Sequence, residues 1–343
     1  MKHRTFFWFI LPTLSAMLLF IALPIVSVAI QSLYIEHEQV LIVTENCGPF
    51  GCEEATAVDV EATAKLQEEA PLGRFNGLGT YTNRAHLAFA DLGEAWRTAE
   101  GIGDFFSKVL NLPFYWALAF TLTYTFVVTP FVIVLGLVVA VAVNNLPKLF
   151  KGPAIFVSLL PMIVTPLVGA LILFWMVDGD GVIGASLQAI FNDPSLSLKA
   201  TTSLNWIMLI VYGIWSSIPF SFIVFYAGLQ TVPQDTMEAA RVDGATKWQR
   251  MIYVVVPHLM PLVVFISLIQ LMDNFRVFEP IVSFQAEAHA RSLSWIIYND
   301  LIAAGNPLYG SAGATSVLTI IGVAFLLMPV LIRTWRDFNH KST

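Results

Sequence analysis

Charged side chains are scarce in this 343-residue sequence: Asp, Glu, Lys and Arg together make up 12% of it, about half of what a soluble domain carries. That scarcity excludes a water-soluble globule as the main body of the chain. The 18 basic residues against 24 acidic ones leave a net charge of −6 and no basic stripe for a nucleic-acid backbone. Only two cysteines are present, Cys47 and Cys52, too few for a disulfide scaffold or a four-thiolate zinc site. The six histidines (His3, His37, His86, His258, His289 and His340) are scattered, which argues against a catalytic or metal cluster. No GxxxxGK[ST] run exists to cradle a nucleotide phosphate. Internal repeats and low-complexity tracts are also missing.

What the chain does have is apolar length. Hydrophobic residues account for 57% of it, with 26 Phe, 9 Trp and a mean hydropathy of +0.72. About 20 consecutive apolar residues cross the hydrocarbon core of a bilayer, and six segments reach that length: residues 6–34, 114–143, 153–177, 204–229, 252–275 and 311–333. Lipid offers no partner to a bare backbone group, so these are expected to be helices. The first is too long for the apolar core of a signal peptide and reads as a retained span. The expectation is an all-α membrane protein of six transmembrane helices.

The charges suggest an orientation. With the N-terminus inside, the inner segments hold 10 basic and 4 acidic residues and the outer segments 8 and 20. Much of the outer acidity sits in one long loop that translocates whatever its charge. The short inner loops agree, through Lys148 and Lys151 in one and Arg241, Lys247 and Arg250 in another. Both termini are then cytosolic. The chain divides into residues 1–34 (terminus and first span), an extracytoplasmic loop over 35–113, expected to form short helices, and a five-span core over 114–343. In the outer loop, Cys47-Gly-Pro-Phe-Gly-Cys52 makes a tight turn that a disulfide could close in an oxidising compartment; two free thiols are the alternative.

One inner connection, residues 230–258, is unusually polar. Pro233 suits a helix start, and Asp235 and Glu238 follow near its positive end. Glu238 and Arg241 share a face. Asp243-Gly244 then offers a residue free to take positive φ, and Ala245 onward begins a second, basic helix. The spacing predicts a helix–turn–helix on the cytosolic surface, with small residues where a partner approaches closely.

This stretch resembles the coupling loop of binding-protein-dependent ABC importer permeases: Glu238-Ala239-Ala240, two residues, Asp243-Gly244-Ala245, then Ile252, Pro257 and Pro261. Phe75–Tyr81, Phe120–Thr125 (with Phe120 in place of the family's Asn), Trp215, Pro219-Phe220 and Ala227–Gln230 are similar to segments of the maltose- and glycerol-3-phosphate-type sugar permeases. The resemblance implies a type I ABC importer fold in the bacterial inner membrane, and a transport subunit rather than an enzyme. It implies partners as well: a second permease subunit, two cytosolic ATP-binding subunits and an extracytoplasmic solute-binding protein. ATP and Mg would reside on the separate ATPase, with no cofactor or metal on this chain. Glu238, Ala239, Ala240, Arg241, Asp243, Gly244, Ala245 and Pro257 are the ATPase-coupling residues that it implies. The long first loop departs from the family pattern.

A sugar-like solute needs hydrogen-bonding groups for its hydroxyls and an aromatic face for its C–H surface. Polar side chains inside a span face a cavity or the bundle interior. Gln270, Asp273, Asn274 and Val277 fall on one helical stripe, and Trp215, Ser216, Ser217 and Phe220 form a second set in the preceding span. Both are read as solute-pathway candidates. The alternative is bonding to neighbouring helices, or an Asp273–Arg276 pair near the interface. An ion-coupled secondary transporter or a channel fits the composition too, but leaves residues 230–258 unexplained.

Overall fold

The computed structural model describes residues 3–48, 51–302 and 307–341. Five of its helices are long and apolar enough to cross a membrane: Phe6–Gln31, Pro113–Asn144, Thr202–Leu229, Lys247–Phe275 and Tyr309–Arg336. A sixth candidate span is bent into two helices. Lys148–Ile163 and Pro166–Met176 meet at 92°, where a continuous helix over 153–177 was expected. The cause is local. Pro166 disfavours helical backbone in the residue before it, and Val164 (ψ 124°) and Thr165 (ψ 146°) are both extended.

Prolines mark two further irregularities. Wide π-turns occupy Leu18–Ala22 and Met251–Val255, just ahead of Pro24 and Pro257. A proline ring clashes with the carbonyl four residues earlier, and widening that turn relieves the clash without ending the span.

The chain divides into two compact units. One comprises Met1–Trp116 and Ile296–Ile321, the other Ala117–Trp295 and Gly322–Thr343. Within the second, Pro113–Asn144 supplies a central buried column from Ala117, Phe120, Tyr124 and Val128 to Val132, Ala140 and Val143. Their spacing of three, four or eight residues keeps one face of the helix inward. Two apolar clusters form on this column. One joins Phe120, Tyr124 and Val128 to Leu209, Val277, Ile281 and Phe284. The other joins Ala140 and Val143 to Phe222, Phe225, Leu259 and Ile266. Small residues bring the helices together, as membrane packing favours: a Cβ on Gly136 would come within 2.5 Å of the Ser221 side chain.

The first unit contains the region 35–113. Helices occur there over Val60–Glu69, Gly79–Thr82, Phe89–Thr98 and Ile102–Leu110, as expected. A β-hairpin was not expected: Leu41–Gly48 pairs antiparallel with Gly51–Val58. The apolar run Leu41-Ile42-Val43, two of its three residues β-branched, suits an extended strand. Cys47 and Cys52 face each other in that register; their side chains lie outside the described residues, and so does the predicted disulfide.

Candidate functional site

Two concave surfaces stand out in the second unit. The first is a cavity of about 560 Å³ walled by Tyr124, by the broken span (Pro161, Met162, Val164 and Pro166), by Ser216 and Ser217, and by Asp273, Asn274, Arg276, Val277, Glu279 and Pro280. Irregular backbone at membrane depth is tolerated where it lines a cavity, and the extended Val164 sits on this wall. The second half of the broken span, Pro166–Met176, packs on the short helix Glu279–Ser283, so the break is braced.

Each polar group here has a traceable position. Asp273 and Arg276 form an ion pair of 2.7 Å. Asn274 is buried and donates to Thr129 Oγ1 at 3.1 Å and to Gln270 Oε1 at 3.3 Å. Ser216 donates to the Gly213 carbonyl at 3.2 Å. Glu279 opens its short helix, where the positive end of the dipole favours a carboxylate.

Of the eight predicted pathway residues, the cavity brings together Ser216, Ser217, Asp273, Asn274 and Val277. It leaves out the other three. Gln270 is one turn away, buried behind Asn274. Trp215, a residue before Ser216 and so turned about 100° around the helix, lies tilted against Tyr212 at 6.0 Å. Phe220 packs against Phe265, with ring centroids 6.4 Å apart, beside the second apolar cluster. Tyr124, Arg276 and Glu279 were not among the predicted pathway residues. A carboxylate just past the end of the polar stripe was the available signal for Glu279; for Tyr124, from a different span, it was its place in the Phe120–Thr125 segment.

The second surface is the elbow between the fourth and fifth spans. A helix over Gln234–Val242 ends at Asp243, Gly244 follows at φ +78°, and a second helix starts at Lys247. The predicted turn is present, but the second helix begins two residues later than Ala245. Thr246 sets that start: its side chain accepts from Gln249 N at 3.2 Å, and Gln249 reaches back to Thr246 N at 2.8 Å, a capping box. Glu238, Ala239, Arg241, Asp243, Gly244 and Pro257 are exposed, while Ala240 and Ala245 are half-buried. Glu238 and Arg241 share a face and are placed to pair, but form no ion pair among the described residues; both line a cavity of about 520 Å³ with Asn144, Gln230 and Met237. Sequence reasoning passed over three large exposed residues here, Val242 at 88%, Trp248 at 72% and Tyr253 at 75%. Only Tyr253 falls within the span expected over 252–275; Val242 and Trp248 belong to the elbow itself.

Apolar helices long enough to cross a membrane, with a polar cavity beside them and an exposed elbow between two of them, define a multi-pass membrane protein. Residues 113–337 match the model of the family described as binding-protein-dependent transport system inner membrane component, and the chain belongs to that family.

Similar proteins agree. The trehalose transport system permease protein SugA of Mycobacterium tuberculosis is 28% identical over 231 residues, 66% of this chain and 73% of that one. The probable ABC transporter permease protein YesP of Bacillus subtilis is 31% identical over 238 residues, covering 66% and 75%. The lactose transport system permease protein LacF of Rhizobium radiobacter is 29% identical over 231 residues, covering 64% and 76%. Among solved structures, a bacterial ABC transporter involved in import of the acidic polysaccharide alginate matches in fold, with a TM-score of 0.57 and 23% identity over 73% of this chain and 88% of that one.

Proposed function

We propose that this chain is the permease subunit of an ATP-driven importer, forming half of the path for a sugar or sugar-like solute. The observation that carries the reading is the 560 Å³ cavity within an apolar bundle. Its wall mixes hydroxyls (Ser216, Ser217, Tyr124), an amide (Asn274), carboxylates (Asp273, Glu279) and apolar surface (Val277, Pro280), the chemistry a hydroxyl-rich ring requires. Pockets of this size suit small ligands. Relatives described as permeases for trehalose and lactose support the same class.

In this reading both termini and the elbow are cytosolic. The exposed Glu238–Ala245 turn, with Val242 and Trp248 beside it, seats against one of two separate ATP-binding subunits and passes its closure to the spans by rigid-body motion. A second permease subunit completes the path, and an extracytoplasmic binding protein delivers the solute. ATP and Mg stay with the ATPase.

The test is uptake of labelled mono- and oligosaccharides by proteoliposomes holding the full complex and its binding protein. ATP-dependent accumulation of at least one sugar is expected. Accumulation driven by an ion gradient without ATP, or none for any sugar the binding protein retains, would sink the reading.

A further inference from the structure

The region ahead of the second span, outside the matched family segment, carries an apolar surface that the transport reading does not use. Phe89, Leu92 and Trp96 fall at i, i+3 and i+7 on one helix; Ile102, Phe105, Phe106 and Val109 fall at i, i+3, i+4 and i+7 on the next. Trp96 meets Phe105 edge to face at 5.3 Å, so the two rows join at the seam. Lys108 closes the hairpin by donating to the Thr98 carbonyl at 2.7 Å and pairing with Asp104 at 2.8 Å. Yet Trp96 stays 71% exposed, Ile102 78% and Phe106 58%. A water-facing surface rarely keeps such a patch uncovered.

The tethers decide what covers it. Leu110 is three residues from Pro113, where the second span begins, so the hairpin's end lies within about 11 Å of that start. The span's first turn carries Tyr115 and Trp116, both half-buried, the residue types enriched at a membrane–water interface. Tyr115 also donates to the Leu87 carbonyl at 2.9 Å, two residues before the hairpin begins. Both ends are therefore held at headgroup level. Residues 84–110 carry four acidic and three basic side chains, so charge does not drive the attachment.

We propose that residues 89–110 form an interfacial anchor, lying along the outer membrane surface with Trp96, Ile102 and Phe106 in the headgroup–acyl boundary of the lipid. Amphipathic helices of this composition bind lipid by apolar burial.

The test places single spin labels at Ile102→Cys, Gly103→Cys, Phe106→Cys and Ser107→Cys, in a chain with Cys47 and Cys52 changed to Ser, assembled as the full complex in phosphatidylethanolamine–phosphatidylglycerol vesicles. Positions 102 and 106 should collide several-fold more with oxygen, and less with an aqueous nickel chelate, than 103 and 107, with or without binding protein and in high or low salt. A second readout needs no cysteine: brominated lipid should quench a component of tryptophan emission that disappears in Trp96→Phe. Equal nickel access at all four positions, protection of 102 and 106 only when binding protein is bound, or an unchanged quenchable fraction in Trp96→Phe would each overturn the proposal.

Discussion

Asn274 reaches across the bundle to Thr129: its amide nitrogen donates to the threonine hydroxyl at 3.1 Å, both residues being buried. The same nitrogen faces the Gln270 carbonyl oxygen at 3.3 Å. A side chain that lines the 560 Å³ cavity is thus also a tie between the second and fifth spans. Asn274→Ala removes both bonds and leaves the Gln270 amide short of a partner. Interhelical hydrogen bonds in membranes contribute about 0.6 kcal/mol and at most about 1.7 kcal/mol each. A lower melting temperature of the detergent-solubilised complex is expected, together with altered uptake. Unchanged melting would show that the tie carries no stability.

The contact of Gly136 with Ser221 is a steric matter. With a hydrogen as its side chain, Gly136 lets the two spans approach until a Cβ would stand 2.5 Å from the Ser221 Cβ and 3.1 Å from the Phe222 nitrogen. Backbone on that wall cannot swing aside. Gly136→Leu should cost about 1–3 kcal/mol, the range for overpacking a filled interior, and lower the yield of assembled complex; Gly152→Leu, where a Cβ meets nothing within 4 Å, should be tolerated. Equal yields of the two variants in membranes would refute the packing argument.

Proton linkage enters through His86. Its ring is buried, with Nδ1 2.9 Å from Asn83 Oδ1 and Nε2 3.0 Å from Thr315 Oγ1 and 3.1 Å from the Ser311 carbonyl. Burial pushes its pKa below the ordinary 6.5, although the Ser311 carbonyl and Asp300 pull the other way. As pH falls through 6.5 the unfolded chain takes up a proton that the folded chain refuses, so stability is lost on acidification. Asp300 has the opposite sign: burial raises its pKa above 3.8, so it costs stability at neutral pH and returns it only as pH falls towards its folded value. Between pH 7.5 and 5.5 the wild type should lose more melting temperature than His86→Gln. Parallel curves for the two proteins would mean that His86 titrates as it does in the unfolded chain.

Hydropathy made the number and position of the spans legible, because crossing the hydrocarbon sets a minimum length that few other structures need. The break at Val164–Thr165 was not legible, because proline by itself does not foretell one: Pro130 and Pro219 sit inside continuous helices, whereas Pro166 follows two extended residues and its helix packs on Glu279–Ser283. For the cavity, period 3.6 placed Asp273, Asn274 and Val277 on one stripe, and the cavity uses all three. It could not show that Gln270 is spent inward on Asn274, nor bring in Tyr124 from 149 residues upstream of Asp273. The hairpin over 41–58 escaped notice because its apolar strand start is short and its acidic returning half, with Glu53 and Glu54, resembles a loop.

The elbow permits a test in which folding and coupling separate. Gly244 sits at φ +78°, and a Cβ built there meets nothing within 4 Å. A left-handed residue with a side chain costs about 1–2 kcal/mol, too little to unfold the packed helices around the two apolar clusters. Gly244→Ala should therefore insert, assemble and retain most uptake. Gly244→Arg pays the same backbone strain, but projects a long cation into space that this chain leaves open and a docked ATPase would fill. Its expected behaviour is normal insertion, weakened co-purification of the ATPase and loss of ATP-dependent uptake, while the binding protein still associates on the other side. Comparable uptake by Gly244→Arg and Gly244→Ala would show that nothing closes over this turn during transport, and the coupling role of residues 238–245 would fall with it.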